Sequence, residues 1–348
     1  MKYQVRRVSP ADAEAEVLDL WQRRPSGTSS ALFRWGYLTA PAAPTECFLL
    51  DGVDGTSSHV VGMVGVGSRR FDIGGKSVSA GLLGDFFIDK AHRTFFPALT
   101  LQRASVAWAR AKFDFVYGFP NGSAAPIMKR LGFRDVARLE RHVLVLRHAP
   151  YIAPRVRSKA LARALAAPID GVRRLIHPGI SRGPRDRLTF GRLRATDARF
   201  DRLFEAHAFA ECSIGRRDAD LVRWRLLERP DEDTSIYALA KEEDGPLQAY
   251  AAVHIAGDVA HVRDLLGVDI DAMTEILRLV AGAARRRHCV ALSFACTAPP
   301  RFLERLLAIG FRLRPGHRTM IGCAGNGATD RDPTALERWY LTEADEDQ

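Results

Sequence analysis

The run GDFFIDKAHRTFFPALTLQRA, residues 84–104, holds a strand-like segment (86–88), a short turn around Arg93 and the start of a helix-like segment that continues to Arg110. A strand, a tight turn and a helix N-terminus together form a place to hold a phosphate. The first N–H groups of a helix have no partner inside it, and its dipole favours negative charge. Such turns usually rely on glycine, yet this one reads Phe95-Phe96-Pro97-Ala98. Two readings stand. The turn is an altered phosphate loop, or it is an apolar strand–helix turn that packs Phe95 and Phe96 into the core.

The surroundings of this run have a clear order. A short strand (3–7) precedes a helix opened by Ser9-Pro10, since proline suits the first helical position after a serine cap. Two β-rich runs follow, with Gly74-Gly75 as a hairpin turn. Then come an amphipathic helix (97–112), an apolar strand (113–119), a helix (124–130) and a closing strand (140–147). Antiparallel strands followed by β-α-β-α-β predict a mixed, mostly antiparallel sheet flanked by helices, an α/β (α+β) fold.

The chain then repeats this order. LFRWGYLTAPAAPTECFLL (32–50) aligns without a gap on LVRWRLLERPDEDTSIYAL (221–239), so that Leu32 meets Leu221, Arg34 meets Arg223 and Trp35 meets Trp224. Upstream, RRVSPADA (6–13) resembles GRLRATDA (191–198). Downstream, KRLGFR (129–134) resembles LAIGFR (307–312). Matches in the same order argue for two copies of one domain, at a period too long for a solenoid. The second copy continues with a helix from Ala272 to Arg287, the strand CVALSFAC, a helix over 300–308 and the strand RTMIGCA. Between the copies, Leu161, Leu165, Ile169, Val172 and Ile176 form a helical stripe with basic residues around it, interrupted by Pro168. Two fates fit this linker. It is buried between the domains, which its thin stripe favours, or it lies on an anionic membrane with Arg157, Lys159 and Arg163 at the headgroups.

Bulk composition bounds the rest. The chain has 348 residues, 47% of them hydrophobic, enough for two cores. No stretch reaches the roughly 18 apolar residues of a membrane span, and the first residues lack a signal core, so a cytoplasmic location is expected. The cysteines lack CxxC spacing, so no disulfide framework or metal site is expected. The net charge of +10 fits an anionic ligand, a membrane surface or nucleic acid. Without basic–aromatic interleaving, nucleic acid is not expected.

The segment NGSAAPIMKRLGF (121–133) carries a resemblance. Its Asn121, Ala124 and Leu131-Gly132-Phe133 resemble a pattern of the GNAT superfamily of acyl-CoA N-acyltransferases, over residues 1–147 and more faintly over 187–326. The resemblance implies two tandem GNAT-like domains. Residues 1–149 would bind acetyl-CoA or another acyl-CoA as substrate, 150–186 would be a basic helical linker, and 187–348 would be a degenerate copy. It implies that Asn121 lies near the pantetheine arm, and that the backbone of Phe87, Ile88 and Asp89 polarises the acyl carbonyl. The run Arg93, Thr94, Phe95, Phe96, Pro97 and Ala98 would hold the pyrophosphate, with Phe96 in the usual glycine place. Asp85 is the candidate base. The aromatic place that supplies an acid in many relatives is Met128, which donates no proton, and Tyr117 is the candidate substitute. His92 and His142 read as surface or rim groups. In the second copy Asp271-Ala272-Met273, Pro299 and Leu306 replace the corresponding residues, so that copy is expected to have lost its cofactor. The end, ERWYLTEADEDQ, reads as a strand followed by an acidic tail.

Two classes of function follow. One is an enzyme moving an acyl group to an amine, less readily a hydroxyl, of a small polar or sugar acceptor, with surface-polysaccharide metabolism as an associated setting. An aminoacyl transferase of the peptidoglycan-bridge type is a neighbouring possibility. The other is a non-catalytic CoA-binding or scaffold protein. The oligomeric state is not legible.

Overall fold

The computed structural model describes residues 2–23, 29–156, 158–176, 183–184, 188–327 and 338–347. The first half contains β1 (Lys2–Val8), α1 (Pro10–Gln22), α2 (Ser30–Leu38), β2 (Glu46–Asp54), β3 (Ser57–Ile73), β4 (Lys76–Ile88), α3 (Phe95–Lys112), β5 (Phe115–Gly118), α4 (Ala125–Arg130) and β6 (Arg134–Val145). Short α5 (Ala149–Ile152) and long α6 (Lys159–Ile176) bridge to the second half. That half contains β7 (Thr189–Leu193), α7 (Ala198–Glu205), β8 (Ser213–Gly215), α8 (Ala219–Val222), β9 (Thr234–Ala240), β10 (Leu247–Ala256) and β11 (Val259–Gly267). It ends with α9 (Ile270–Arg286), β12 (Ala291–Thr297), α10 (Pro300–Ala308), β13 (Arg312–Ala324) and β14 (Trp339–Thr342).

Local chemistry sets the helix starts. Ser9 accepts from the Asp12 N–H with Pro10 opening α1, and Ser29 accepts from the Leu32 N–H to start α2. One face of the first-half sheet is covered by α3, which buries Leu101, Val106 and Ala109 against Val64, Val66 and Val116. The other face is covered by α1 and α2 through Val17, Trp21, Phe33 and Tyr37. In the second half α9 does the work of α3, burying Met273, Ile276, Leu277 and Val280.

Among the described residues the two halves share one sheet of 14 strands, in the order β1-β2-β3-β4-β5-β13-β6-β12-β11-β10-β9-β7, with β14 branching off beside β12 and β8 joining β14 to β3. The order is a near-palindrome, and its centre is an exchange. β13, the closing strand of the second half, pairs antiparallel with β5 of the first (Ile321↔Gly118 to Ala324↔Phe115). β6, the closing strand of the first half, pairs with β12 of the second (Ala291↔Val145 to Cys296↔Glu140). The two exchanged strands then pair with each other.

The repeat seen in the sequence is a contact in space. Trp35 and Trp224 stack with centroids 4.9 Å apart. Each indole N–H donates to the other's backbone carbonyl, at 2.7 and 2.9 Å. Leu32 and Leu221 pack beside them. Aligned residues that touch reciprocally are what a local two-fold relation between copies requires.

The linker departs from the expectation of burial. Leu161, Leu165, Ile169 and Val172 are 43–53% exposed, while Ala162 and Ala166 face the protein. The alanines let α6 lie close, and the His148 Nδ1–Asp170 contact of 2.6 Å pins it. Pro168 sits inside α6 without ending it. The exposed stripe beside Lys159 and Arg163 has the amphipathic form that the lipid-surface reading needs. Arg157 and residues 177–182 and 185–187 of the linker lie outside the described residues. Among the described residues no helix is long and apolar enough to cross a membrane.

Candidate active site

β4 and β5 run parallel from Ala80↔Phe115 to Leu83↔Gly118 and then part. Beyond that point β4 runs on to Ile88, while the chain after β5 turns into α4. The register of β3 against β4 slips between Met63 and Gly65, so Asp85 and Phe86 together oppose Val64. Such a bulge re-aims side chains. Asp85 takes a left-handed φ of 53°, strained for a residue with a Cβ. The Tyr37 hydroxyl donates to Asp85 Oδ2 at 2.9 Å.

Two cavities of about 300 Å³ each meet at this bulge and share Gly84, Asp85 and Asp347 as a wall. The one between the splayed strands is lined by Phe87, Phe119, Asn121, Met128 and Glu346. The one behind it is lined by Trp35, Tyr37, Arg69, Trp224 and Arg225.

Asp347 and Glu346 are functional candidates that the sequence reading missed. The acidic end is not a solvated tail. Thr342 and Asp345 form a capping box over the turn after β14, and Asp345 and Glu346 are buried. Arg217, 1% exposed, holds the turn down. It donates to Asp345 (2.8 and 2.5 Å), the Gly215 carbonyl (2.6 Å) and Asp264 (3.3 Å). Asp347 then lies against β4. A Cβ at Gly84 would sit 2.8 Å from the Asp347 Cβ, so only glycine admits this approach. Burial, then the Asp85 carboxylate, pushes Asp347 up to about 6. Burial pushes Glu346 up to about 8, against the pull of Arg318 Nη1 at 2.6 Å. Glu346 Oε1 is buried with no hydrogen-bond partner among the described residues.

The candidate pyrophosphate loop is open. Helix α3 begins at Phe95, two residues earlier than expected, and Thr94 caps it without a side-chain bond. The first-turn N–H groups of Phe95 and Phe96 therefore face away from any internal cap, while Pro97 has none to offer. Phe95 and Phe96 are 47% and 65% exposed, so the packed-core reading of the turn fails. Among the described residues only Asp85 and His288 combine a side chain with positive φ, so Phe96 needs no glycine conformation. Pro97 and Ala98 are the buried members of the turn. Arg93 donates Nε and Nη2 to the Ile88 carbonyl (3.3 and 3.2 Å), and Arg130 lies over the Phe95 ring. Asp89 serves the loop's structure: burial opposes its charge, but the Ala91 N–H and Arg23 hold it below the usual carboxylate range. Its own N–H donates to the Val61 carbonyl. Asn121 Oδ1 accepts from Ser123 and Ala124 and so shapes the turn into α4. We expect Phe96→Gly to give no gain in CoA affinity and to cost about 1 kcal/mol of stability. Calorimetric titration and urea unfolding check both, and clearly tighter binding would show the turn to be crippled by its side chain.

Tyr117 sits elsewhere. It is wholly buried, lines neither cavity, packs on Phe71 and Phe115, and donates its hydroxyl to the Asp345 carbonyl at 3.1 Å. Burial raises its pKa further above the ordinary tyrosine range. It supports the acidic turn rather than reaching the cleft. His142 is likewise buried within β6 rather than at a rim, and His92 contacts the Tyr3 hydroxyl.

The second half differs at both corresponding places. Asp269 accepts from the Ala272 N–H and so caps α9 with its own carboxylate. Asp271 pairs with Arg305 at 2.6 Å. Beyond the parallel pairing of β11 and β12, β14 pairs with the end of β12 (Cys296↔Thr342, Thr297↔Leu341). Tyr340 donates to the Leu265 carbonyl of β11 and stacks on Phe209. One C-terminal segment thus fills the second splay and delivers carboxylates to the first.

No protein-family model matches the chain, and no curated protein is similar to it. Solved structures do match. A probable N-acyltransferase from Enterococcus faecalis superposes with a TM-score of 0.65 at 10% identity, over 93% of this chain and 73% of that one. A GCN5-related N-acetyltransferase from Anabaena variabilis gives 0.64 at 10% identity, with the same coverage. A tandem GNAT protein from the clavulanic acid biosynthesis pathway gives 0.53 at 10%, over 94% of this chain and 100% of that one. The chain has the GNAT fold. It is a tandem form of that fold, two copies in one polypeptide.

Proposed function

We propose that the first half is an acyl-CoA-dependent N-acyltransferase whose acceptor is a small polar amine. The observation that carries this is the pair of cavities meeting at Gly84, Asp85 and Asp347. One lies between the splayed strands, beside Asn121 and Met128, and suits an acyl-pantetheine arm. The other brings an acceptor to the same wall. Of the features that favoured a non-catalytic protein, Phe96 points to solvent and Met128 has an acidic neighbour in the cavity wall, Glu346.

The roles follow from the two carboxyl groups, whose environments separate their titrations. The acceptor arrives as an ammonium ion. Asp347, ionised at neutral pH, takes one proton and passes it to solvent. The free amine attacks the thioester carbon, forming the C–N bond. The C–S bond breaks with its electron pair on sulfur, Glu346 protonates that sulfur, and the surplus proton on nitrogen returns to the carboxyl pair. The products are an amide and the CoA thiol. Asp85 holds the bulge and tunes Asp347.

Titration calorimetry with CoA and acetyl-CoA tests the reading. Wild-type protein binds. Arg93→Glu, a reversed charge beside the open helix start, weakens binding roughly 100-fold, about 2.7 kcal/mol. Asp271→Ala in the self-capped second copy changes nothing. Loss of binding in Asp271→Ala and not in Arg93→Glu would assign the site to the other half.

A further inference from the structure

The cavity behind the bulge contains more than a base. Arg69 lies over the Trp224 ring at 4.8 Å, and Arg225 and Arg229 lie over Trp35 at 5.5 and 5.2 Å. Arg229 is neutralised by Asp231 at 2.7 Å. Arg69 is not: its Nη1 reaches only the neighbouring Ser68 carbonyl, and its buried Nε has no hydrogen-bond partner among the described residues. It forms no ion pair among them either. A buried guanidinium edge left unmatched is costly, and its fork geometry fits a carboxylate. Burial lowers Arg69, and burial followed by Arg229 and Arg69 lowers Arg225 to about 10, as expected of cations crowded together. Asp85 and Asp347 line the same cavity, together with Trp35, Tyr37, Leu32 and Leu82.

We propose that the acceptor is an α-amino acid with an apolar side chain, its carboxylate on the Arg69 guanidinium, its side chain among the aromatic residues and its amine at Asp347. This rests on the acyl-transfer reading for its chemistry but not for its binding. Charges of both signs in one cavity would select a zwitterion over a plain amine, because an amine without a carboxylate leaves Arg69 unmatched.

The test compares L-phenylalanine, L-leucine and L-tyrosine with phenylethylamine, 3-methylbutylamine and tyramine. Binding is read by calorimetry on the full chain saturated with CoA, and turnover by thiol release from acetyl-CoA. At least one amino acid binds tenfold or more tighter than its amine, and Arg69→Gln erases that preference while leaving CoA affinity unchanged. Equal or tighter binding of the amines, or no amino acid binding at millimolar concentration, overturns the proposal. The wild-type comparison decides the matter even if the variant fails to fold. Thiol release reports separately on the acyl-transfer reading: amino acid binding without thiol release would sink that reading and leave the binding proposed here standing.

Discussion

Asp347→Asn lowers acyl transfer by roughly 10²–10⁴-fold and leaves CoA affinity intact, because it removes the proton acceptor without touching the pyrophosphate loop. The pH profile makes the expectation specific. With Asp347 raised to about 6 and Glu346 to about 8, kcat/KM for acyl-CoA rises through about 6 as the base ionises. It falls above about 8 as the acid is lost. Asp347→Asn abolishes the lower limb and Glu346→Gln the upper one. The same shifts have a stability sign. Both carboxyls titrate higher folded than unfolded, so each contributes stability below its unfolded pKa that is lost as pH rises through the folded value. Asp347→Asn is therefore more stable than wild type at pH 8, relative to the difference at pH 4. A flat wild-type rate between pH 5 and 7, measured by thiol release, would remove Asp347 from the role.

Arg217→Ala costs roughly 3–5 kcal/mol, because it strands the buried carboxylates of Asp264 and Asp345 without their cation. The effect also reaches the site. Arg217 clamps the turn that carries Glu346 and Asp347, so whatever fraction of the variant folds should bind CoA and turn over slowly. Urea unfolding measures the first part and calorimetry beside thiol release the second. A loss under 1 kcal/mol with unchanged turnover would mean that the turn is held by β14 alone.

Much of the fold was legible, for identifiable reasons. The duplication showed because Trp35 and Trp224 must be alike to stack reciprocally across a two-fold relation. The order of elements showed through caps and glycine turns, which are local. The exchange of β6 and β13 did not, since a strand's composition says that it pairs and not with whom. The sequence offered site candidates on one side of the cleft only. Asp85 and the 93–98 turn are near in sequence to the motifs that flag them. Asp347 arrives from far along the chain, in a run of acids that resembles any solvated end, and only the buried Arg217 and the bare Gly84 explain why it folds inward. Phe95 and Phe96 left two readings of their turn open, and they lie outside, against what apolar residues usually do. The stripe of α6 was misjudged because the alanines beside its leucines form the contact face.

The exchanged strands bear on how such a protein can change over generations. A duplicated domain usually leaves one copy free to decay and disappear. Here the second half, whose splay is filled by β14, lends β13 to the first half's sheet and borrows β6 in return. Deleting either half would strip a strand from the other and bare a sheet edge. The second copy is thus retained by architecture, and its surface is free to be reshaped where Trp224, Arg225 and Arg229 line a cavity of the first.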